Sequence, residues 1–188
     1  MTEALQNIMT RRSVRKFKED QVPREVLEKI IEAGLWAPSS MNRQPWHFTV
    51  VRGRAATDRL NAELKNAVER MPDNRYKAMV GKDGYYAGYK APTLIIVSAD
   101  PADSPLGEAD CACALMNIFL SAHALGVGSC WINQLGSVCE EQGFRAYISG
   151  IGVPAANFIH GVAALGYAAD DFEPKKPPRK ENTVHWAE

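Results

Sequence analysis

An α+β fold is what the sequence predicts, and three observations carry that expectation. Segments with helical and strand periodicity are mixed along the chain without a regular βαβ alternation, which argues against a doubly wound sheet. "PTLIIVSA" at 92–99 is a nearly continuous apolar run that starts at a proline, as a central strand does. "GEADCACALMNIFLSAHAL", from Gly107 to Leu125, is apolar on most sides and reads as a helix at the centre of the core. The chain has 188 residues, 46% of them hydrophobic. That is enough for one buried core, so residues 1–188 are expected to form a single domain.

The remaining elements follow in order. Thr2 is a plausible N-cap for a short helix running to about Arg11, with Leu5, Ile8 and Met9 on one side. Pro23 suits the first turn of a second helix, in which Val26, Leu27, Ile30, Ile31 and Leu35 recur at helical spacing until Gly34 and Pro38 stop it. "WHFTVV" at 46–51 is a short strand, followed by a further helical stretch. Residues 70–90 carry Tyr76, Tyr85, Tyr86 and Tyr89 among glycines and lysines; they suit either a lid over a site or a surface segment with half-buried tyrosines.

After the central helix, "GVGSCWINQL" makes a turn and a strand. Ser137 with Glu140 three residues on is a capping-box signature for a helix over 138–149, closed by "GIGVP". "NFIHGVAALGY" is the last strand. The tail over 168–188 is rich in charge and proline, yet keeps Val184 and Trp186 near its end, residues that would have to bury against an apolar surface.

Composition and motif searches exclude several classes. The 22 Lys+Arg balance 22 Asp+Glu, so the chain lacks the basic excess of a nucleic-acid binder. No apolar run approaches the roughly 20 residues that span a bilayer, and the N-terminal segment lacks a signal-peptide pattern, which makes the cytoplasm the expected compartment. Cys111 and Cys113 are two apart on a helix and point about 200° apart, while His123 lies roughly 18 Å further along, so no metal site is expected. The four cysteines are read as buried, inert thiols. Neither phosphate-binding glycine motif occurs, nor a G-x-S-x-G elbow, nor H-E-x-x-H.

Three polar clusters remain as candidates for chemistry. "RRSVR" places Arg11, Arg12, Ser13 and Arg15 at a helix end; "PSSMNRQ" places Pro38, Ser39, Ser40, Met41, Asn42 and Gln44 in a loop; the tail supplies Arg179 and Lys180. Guanidinium forks and hydroxyls match the oxygens of a phosphate, and amide and hydroxyl side chains suit a polyol. Taken singly, each cluster has a plainer use: basic residues meet the dipole of a helix C-terminus, and a Ser/Asn loop satisfies its own backbone.

Together and in this order they closely resemble the nitroreductase family of FMN-dependent flavoenzymes. The likeness runs from "RRSVRKFKEDQVPREVLEKIIEAGLWAPSSMNRQPWHFTVV" through "APTLIIV", "ALGVGSCWI" and "ALGY" to "PPRK", nearly end to end. It implies a central, mostly antiparallel sheet flanked by helices, in an intertwined homodimer. One FMN would lie at each subunit interface, reduced by NADH or NADPH and reoxidised by a nitroaromatic, a quinone or a similar electron-poor acceptor in ping-pong fashion.

Carried over by motif, Arg11 and Arg179 resemble the phosphate ligands, Ser13 a donor on the phosphate and ribityl side, and Arg15 a cation at the pyrimidine edge of the flavin. The loop resembles the segment lent to the neighbouring subunit's flavin, with Pro38 and Ser39 near the ring and Ser40 and Asn42 toward the ribityl chain. "SCWIN" resembles the strand passing along the ring, with Trp131, Ile132 and Asn133 beside it. Where many relatives have P-[IL]-E-G-F, this chain has "CWINQL". The tail is expected to wrap the partner.

Such a site needs no acid/base dyad, because hydride transfer belongs to the cofactor. The resemblance also admits other flavin chemistry on the same scaffold, such as reductive dehalogenation, substrate oxidation or flavin destruction, or a protein that stores or senses FMN without turnover. Consumption of NADH with a quinone separates catalysis from storage.

Overall fold

The computed structural model describes every residue except 73, 74, 182 and 188. The first two fall in the expected lid and the last two in the expected tail, so those parts of both expectations lie outside the described residues.

Thr2 caps the first helix through its side chain, its Oγ1 accepting from the Leu5 amide at 3.4 Å, and α1 spans Glu3–Thr10. The stripe formed by Leu5, Ile8 and Met9 is more than half exposed within one chain. Pro23 immediately precedes α2 (Arg24–Leu35). Among the described residues the strands are β1 (His47–Arg52), β2 (Thr93–Ala99), β3 (Gly128–Ile132) and β4 (Phe158–Gly166), in the spatial order β1-β2-β4-β3 with every neighbouring pair antiparallel. β2 is central and buried at every position, as its sequence predicts.

Its apolar run is unbroken because both faces of the sheet are covered. On one face Leu94 and Ile96 pack with Leu60 and Leu64 of α3 (Arg54–Arg70), Leu135 of α6 (Gln134–Val138) and Phe144 of α7 (Gln142–Gly150). On the other, Ile95 and Val97 pack with Ile30 of α2 and with Leu115 and Ile118 of α5 (Gly107–Ala124). Each such side chain contributes about 1.5–3 kcal/mol by leaving water. Among 70–90, a short α4 (Lys77–Val80) precedes Tyr85, and both Tyr76 and Tyr85 pack partly buried against the α3 face.

Three sequence expectations need correction. Gly34 does not stop α2: it is buried inside the helix, where an added Cβ would stand 3.0 Å from Ile118 Cγ1 and 3.3 Å from the Phe48 ring, so it lets α2 approach α5 closely. The expected helix over 138–149 is split. Ser137 lies within α6, its Oγ 2.8 Å from the Tyr76 hydroxyl, and the cap of α7 is Glu141, which accepts from the Phe144 amide at 2.8 Å. The third concerns the thiols. Cys111, Cys130 and Cys139 are buried, but Cys113 is exposed, because the sheet and α2 do not cover every side of α5 within one chain.

Glu141 outcompetes Ser137 as the cap because its carboxylate is held twice. Arg70 grips it in bidentate fashion at 3.0 and 2.7 Å while the α7 amide takes one of the same oxygens. Arg70 first, then the Phe144 and Gly143 amides, lower its pKa from 4.5 to about 2. A depressed carboxylate stabilises the fold above its unfolded value and loses that contribution as pH falls through the folded one. Glu141→Gln is therefore expected to melt below wild type at pH 7, with the gap closing between about pH 4.5 and 2; thermal unfolding across that range checks it.

Candidate functional site

Beyond α1 the chain runs extended along the edge of the sheet. Ser13 bridges Ser129 of β3 in parallel, the Val14 amide donates to the Ser129 carbonyl at 2.9 Å, and Phe17 bridges Ala168 antiparallel. The Lys18 amide donates to the Tyr167 carbonyl at 2.9 Å, and the Ala169 amide to the Lys16 carbonyl at 3.0 Å. Lys16 and Lys18 also pair with Asp171 and Asp170. Two-residue alternation in this extended stretch sets Arg11, Ser13 and Arg15 on one side and buries Val14 on the other. The base of the tail is thus knitted to its own chain through Asp171.

Arg11, Arg12, Ser13 and Arg15 line one cavity of about 420 Å³, and the tail closes it with Lys175 and Arg179. A single carboxylate, Glu173, faces these cations among the lining residues. Arg11, Arg15 and Arg179 form no ion pair among the described residues. Burial, then Arg12 and Arg179 beside it, hold the Arg11 guanidinium below its ordinary pKa. His123 is lowered in the same way, by burial and by Arg11 and Arg12. A site whose own cations destabilise one another fits a dianion, and guanidinium and hydroxyl donors fit phosphate oxygens.

Arg12 is the exception within the cluster, since its Nη1 is already committed to the Met9 and Arg11 carbonyls, both at 2.8 Å. Cys130 was missed by sequence reasoning. Its buried thiol lies close enough to Arg15, Ser13 and Arg11 that they oppose the upward push of burial on its pKa.

The serine and asparagine loop lies elsewhere. It turns through a 3-10 helix (Ser40–Asn42), and Met41, Asn42 and Gln44 adopt φ of 52°, 54° and 49°. Some of its polar capacity serves itself: Ser39 Oγ accepts from the Gln44 amide at 2.9 Å, and Asn42 Oδ1 from Gln44 Nε2 at 3.0 Å. Asp110, which the sequence reading did not single out, anchors it. Buried in the first turns of α5, this carboxylate accepts from the Ser40 amide at 2.9 Å and from Ser104 Oγ at 3.1 Å.

Asp110→Ala strands both donors and is expected to cost about 1–3 kcal/mol, whereas Asp110→Asn keeps an acceptor and should cost less. Thermal unfolding of the two variants checks the order.

The loop and the arginine cluster sit at opposite ends of α5. Ser40 is tied to Asp110, while the α1 end is tied to the far turns through Asn7 Nδ2 to the Leu120 carbonyl and Thr10 Oγ1 to His123 Nε2, each 2.9 Å. From Asp110 to His123 the helix rises about 20 Å. One chain therefore brings Arg11, Arg12, Ser13, Arg15 and Arg179 together and leaves Pro38 to Gln44 apart from them.

Trp131, at the end of β3, is partly exposed, donates from Nε1 to Asn133 Oδ1 and lies 5.9 Å from the Phe119 ring. Gly161 makes room for it, since an added Cβ would stand 2.9 Å from the indole. The Ile132 side chain is buried in the α3-side core, because successive strand residues face opposite ways, so at this position it is the backbone that stays open to a ligand.

The sequence profile of the nitroreductase family matches residues 8–167, and the chain belongs to this family. A nitroreductase from Bacteroides fragilis, solved with bound FMN, superposes with a TM-score of 0.95 at 40% identity, all of both chains being covered. One from Desulfitobacterium hafniense, also with bound FMN, superposes at 0.87 with 28% identity and equally complete coverage. Among curated relatives, an Archaeoglobus fulgidus protein provisionally named an NADH dehydrogenase/NAD(P)H nitroreductase is 34% identical over 175 residues, covering 91% of this chain and 88% of its own.

Proposed function

We propose that the chain is an FMN-dependent oxidoreductase that consumes NADH or NADPH and reduces nitroaromatic, quinone or similar electron-poor acceptors, and that it works as a homodimer with both chains contributing to each site. The observation that carries this reading is the cavity whose Arg11, Arg15 and Arg179 form no ion pair among the described residues, which suits a flavin phosphate, together with a polar loop held about 20 Å away along α5. A second copy can bring that loop to the cavity. The exposed stripe of Leu5, Ile8 and Met9 and the exposed Val184 and Trp186 supply apolar surface for such an assembly. The tail beyond the Asp171 pairing reaches across it, and cytoplasm is the compartment we assign.

In this reading Arg11 and Arg179 hold the phosphate, Ser13 donates beside them, and the loop from Pro38 to Gln44 orients the ribityl chain and ring of the partner's flavin. Trp131, the Ile132 backbone and Asn133 flank the ring. FMN, when bound, supplies the hydride chemistry, for a net reaction of NAD(P)H, a proton and a quinone giving NAD(P)⁺ and a quinol. The protein's task is orientation, exclusion of water and electrostatics. Arg15 would supply a positive charge to a flavin bound here, a charge that favours its reduced form. No separate nucleotide-binding glycine motif is present to dock NAD(P)H elsewhere, so donor and acceptor take turns.

Steady-state kinetics with purified holoenzyme, NADH and a quinone test the reading. Parallel double-reciprocal plots are expected; intersecting plots would refute a shared site, and bound FMN without NAD(P)H turnover would point to storage. Arg15→Gln retains donors but removes the charge. It is expected to lower the two-electron potential of the bound flavin and to slow reduction by NAD(P)H about tenfold or more, while FMN affinity changes far less. Potentiometry and stopped-flow reduction measure the two effects separately.

A further inference from the structure

We infer that a second cavity, which shares Arg15 with the phosphate-sized one, selects flat acceptors that carry a carboxylate or sulfonate; the inference rests on the reading of the chain as an FMN oxidoreductase. This cavity has a volume of about 550 Å³, and Arg15 lines both it and the arginine cavity. Phe17, Tyr85 and Tyr89 give it aromatic walls, and Lys16 and Lys90 add two ammonium groups to the guanidinium of Arg15. No carboxylate lines it among the described residues.

The three cations are not equivalent. Lys16 is neutralised by Asp171, and Arg15 stands with its guanidinium 6.0 Å from the centre of the Tyr89 ring. If Arg15 serves the flavin, Lys90 is the charge left for an incoming molecule; it forms no ion pair among the described residues.

The backbone shows that this placement is imposed. Tyr89 and Lys90 are consecutive residues at φ of 54° and 58°, a conformation that side chains of this size adopt only at a cost of about 1–3 kcal/mol each. Bonds from the Tyr89 amide to the Tyr86 carbonyl at 3.1 Å and from the Ala91 amide to the Gly88 carbonyl at 2.9 Å hold the turn. Every described non-glycine residue with positive φ lies either here or in the loop from Met41 to Gln44. The result is an aromatic wall with an ammonium at its edge. A neutral quinone can use only the rings, whereas an aromatic acid uses both the rings and Lys90.

The test compares shape-matched probes on intact holoenzyme. Calorimetry with 2-naphthoate and 2-naphthamide is expected to show the acid bound about tenfold more tightly, the size of one charge-assisted hydrogen bond. Lys90→Gln should shrink that ratio to about twofold and Lys90→Glu should invert it. The kcat/KM ratio for 4-nitrobenzoate over 4-nitrobenzamide should fall in the same order. Equal binding of the two probes by wild type, or a preference that survives both Lys90 variants, overturns the inference. Because the calorimetric comparison needs no turnover, it decides the cavity even if NADH-to-quinone activity is absent, an outcome that would defeat the proposed function instead.

Discussion

Arg11→Ala is expected to lower FMN affinity by a hundredfold or more while riboflavin affinity stays within about threefold. Arg11 is a partly buried cation, its pKa pulled down by burial and by the neighbouring Arg12 and Arg179, so it has much to gain from a dianion. A hydrogen bond to a charged group is worth about 1.5–3 kcal/mol, so Arg11, Ser13 and Arg179 together should give wild-type apoprotein a preference for FMN over riboflavin of at least about a thousandfold. Alanine at Arg11 removes the largest share. Arg12→Ala should cost much less, since its guanidinium is already satisfied by the Met9 and Arg11 carbonyls. Flavin-fluorescence titration of apoprotein with both ligands decides the matter: equal affinity for FMN and riboflavin in wild type would remove the phosphate role from this cavity.

Two crippled chains are expected to repair one another. Arg11→Ala removes the phosphate end of a site, and Ser40→Trp obstructs the loop anchored on Asp110 at the other end of α5. If each flavin lies between the arginine cavity of one chain and the loop of its neighbour, either variant alone spoils both sites of its dimer. A mixed dimer keeps one intact site, built from the arginines of the Ser40→Trp chain and the loop of the Arg11→Ala chain. Each homodimer should lose at least about 90% of its NADH-to-quinone activity, and the co-expressed, tag-purified heterodimer should recover about half of wild type with about one FMN per dimer, one site of two. No recovery would mean that the loop and the cavity serve different sites. Size-exclusion chromatography of each variant separates loss of flavin from loss of the dimer.

Much of this was legible in the sequence for identifiable reasons. β2, α2 and α5 follow from apolar periodicity, and α1 from Thr2, because each signal lies within the segment it describes. The arginine cavity was legible as a motif, "RRSVR" with a distant Arg179. The roles of Asp110, Cys130 and Gly161 were not: each acts through a neighbour far away in the chain, Asp110 on Ser40, Cys130 beside Ser13 and Gly161 beneath Trp131. The capping box at Ser137 failed for a related reason. A local rule identified a hydroxyl, and Arg70, some seventy residues earlier, fixed a carboxylate four residues further on.

By itself the sequence determined the four strands and the longer helices in order, the family, and the chemical types available for a flavin: guanidinium groups, hydroxyls and a rigid polar loop. Those are properties of local pattern and of motif order, and they survive without knowledge of any contact. Only the tertiary structure decided which of them can meet. It gathered Arg11, Ser13, Arg15 and Arg179 around one cavity, because residues 13–18 lie along β3 and the tail's base and so bring both ends of the chain together. It buried the Ile132 side chain and held the loop at the opposite end of a rigid helix. An α-helix does not shorten to bring its ends together, so the length of α5 is what keeps the loop and the arginine cavity apart within one chain.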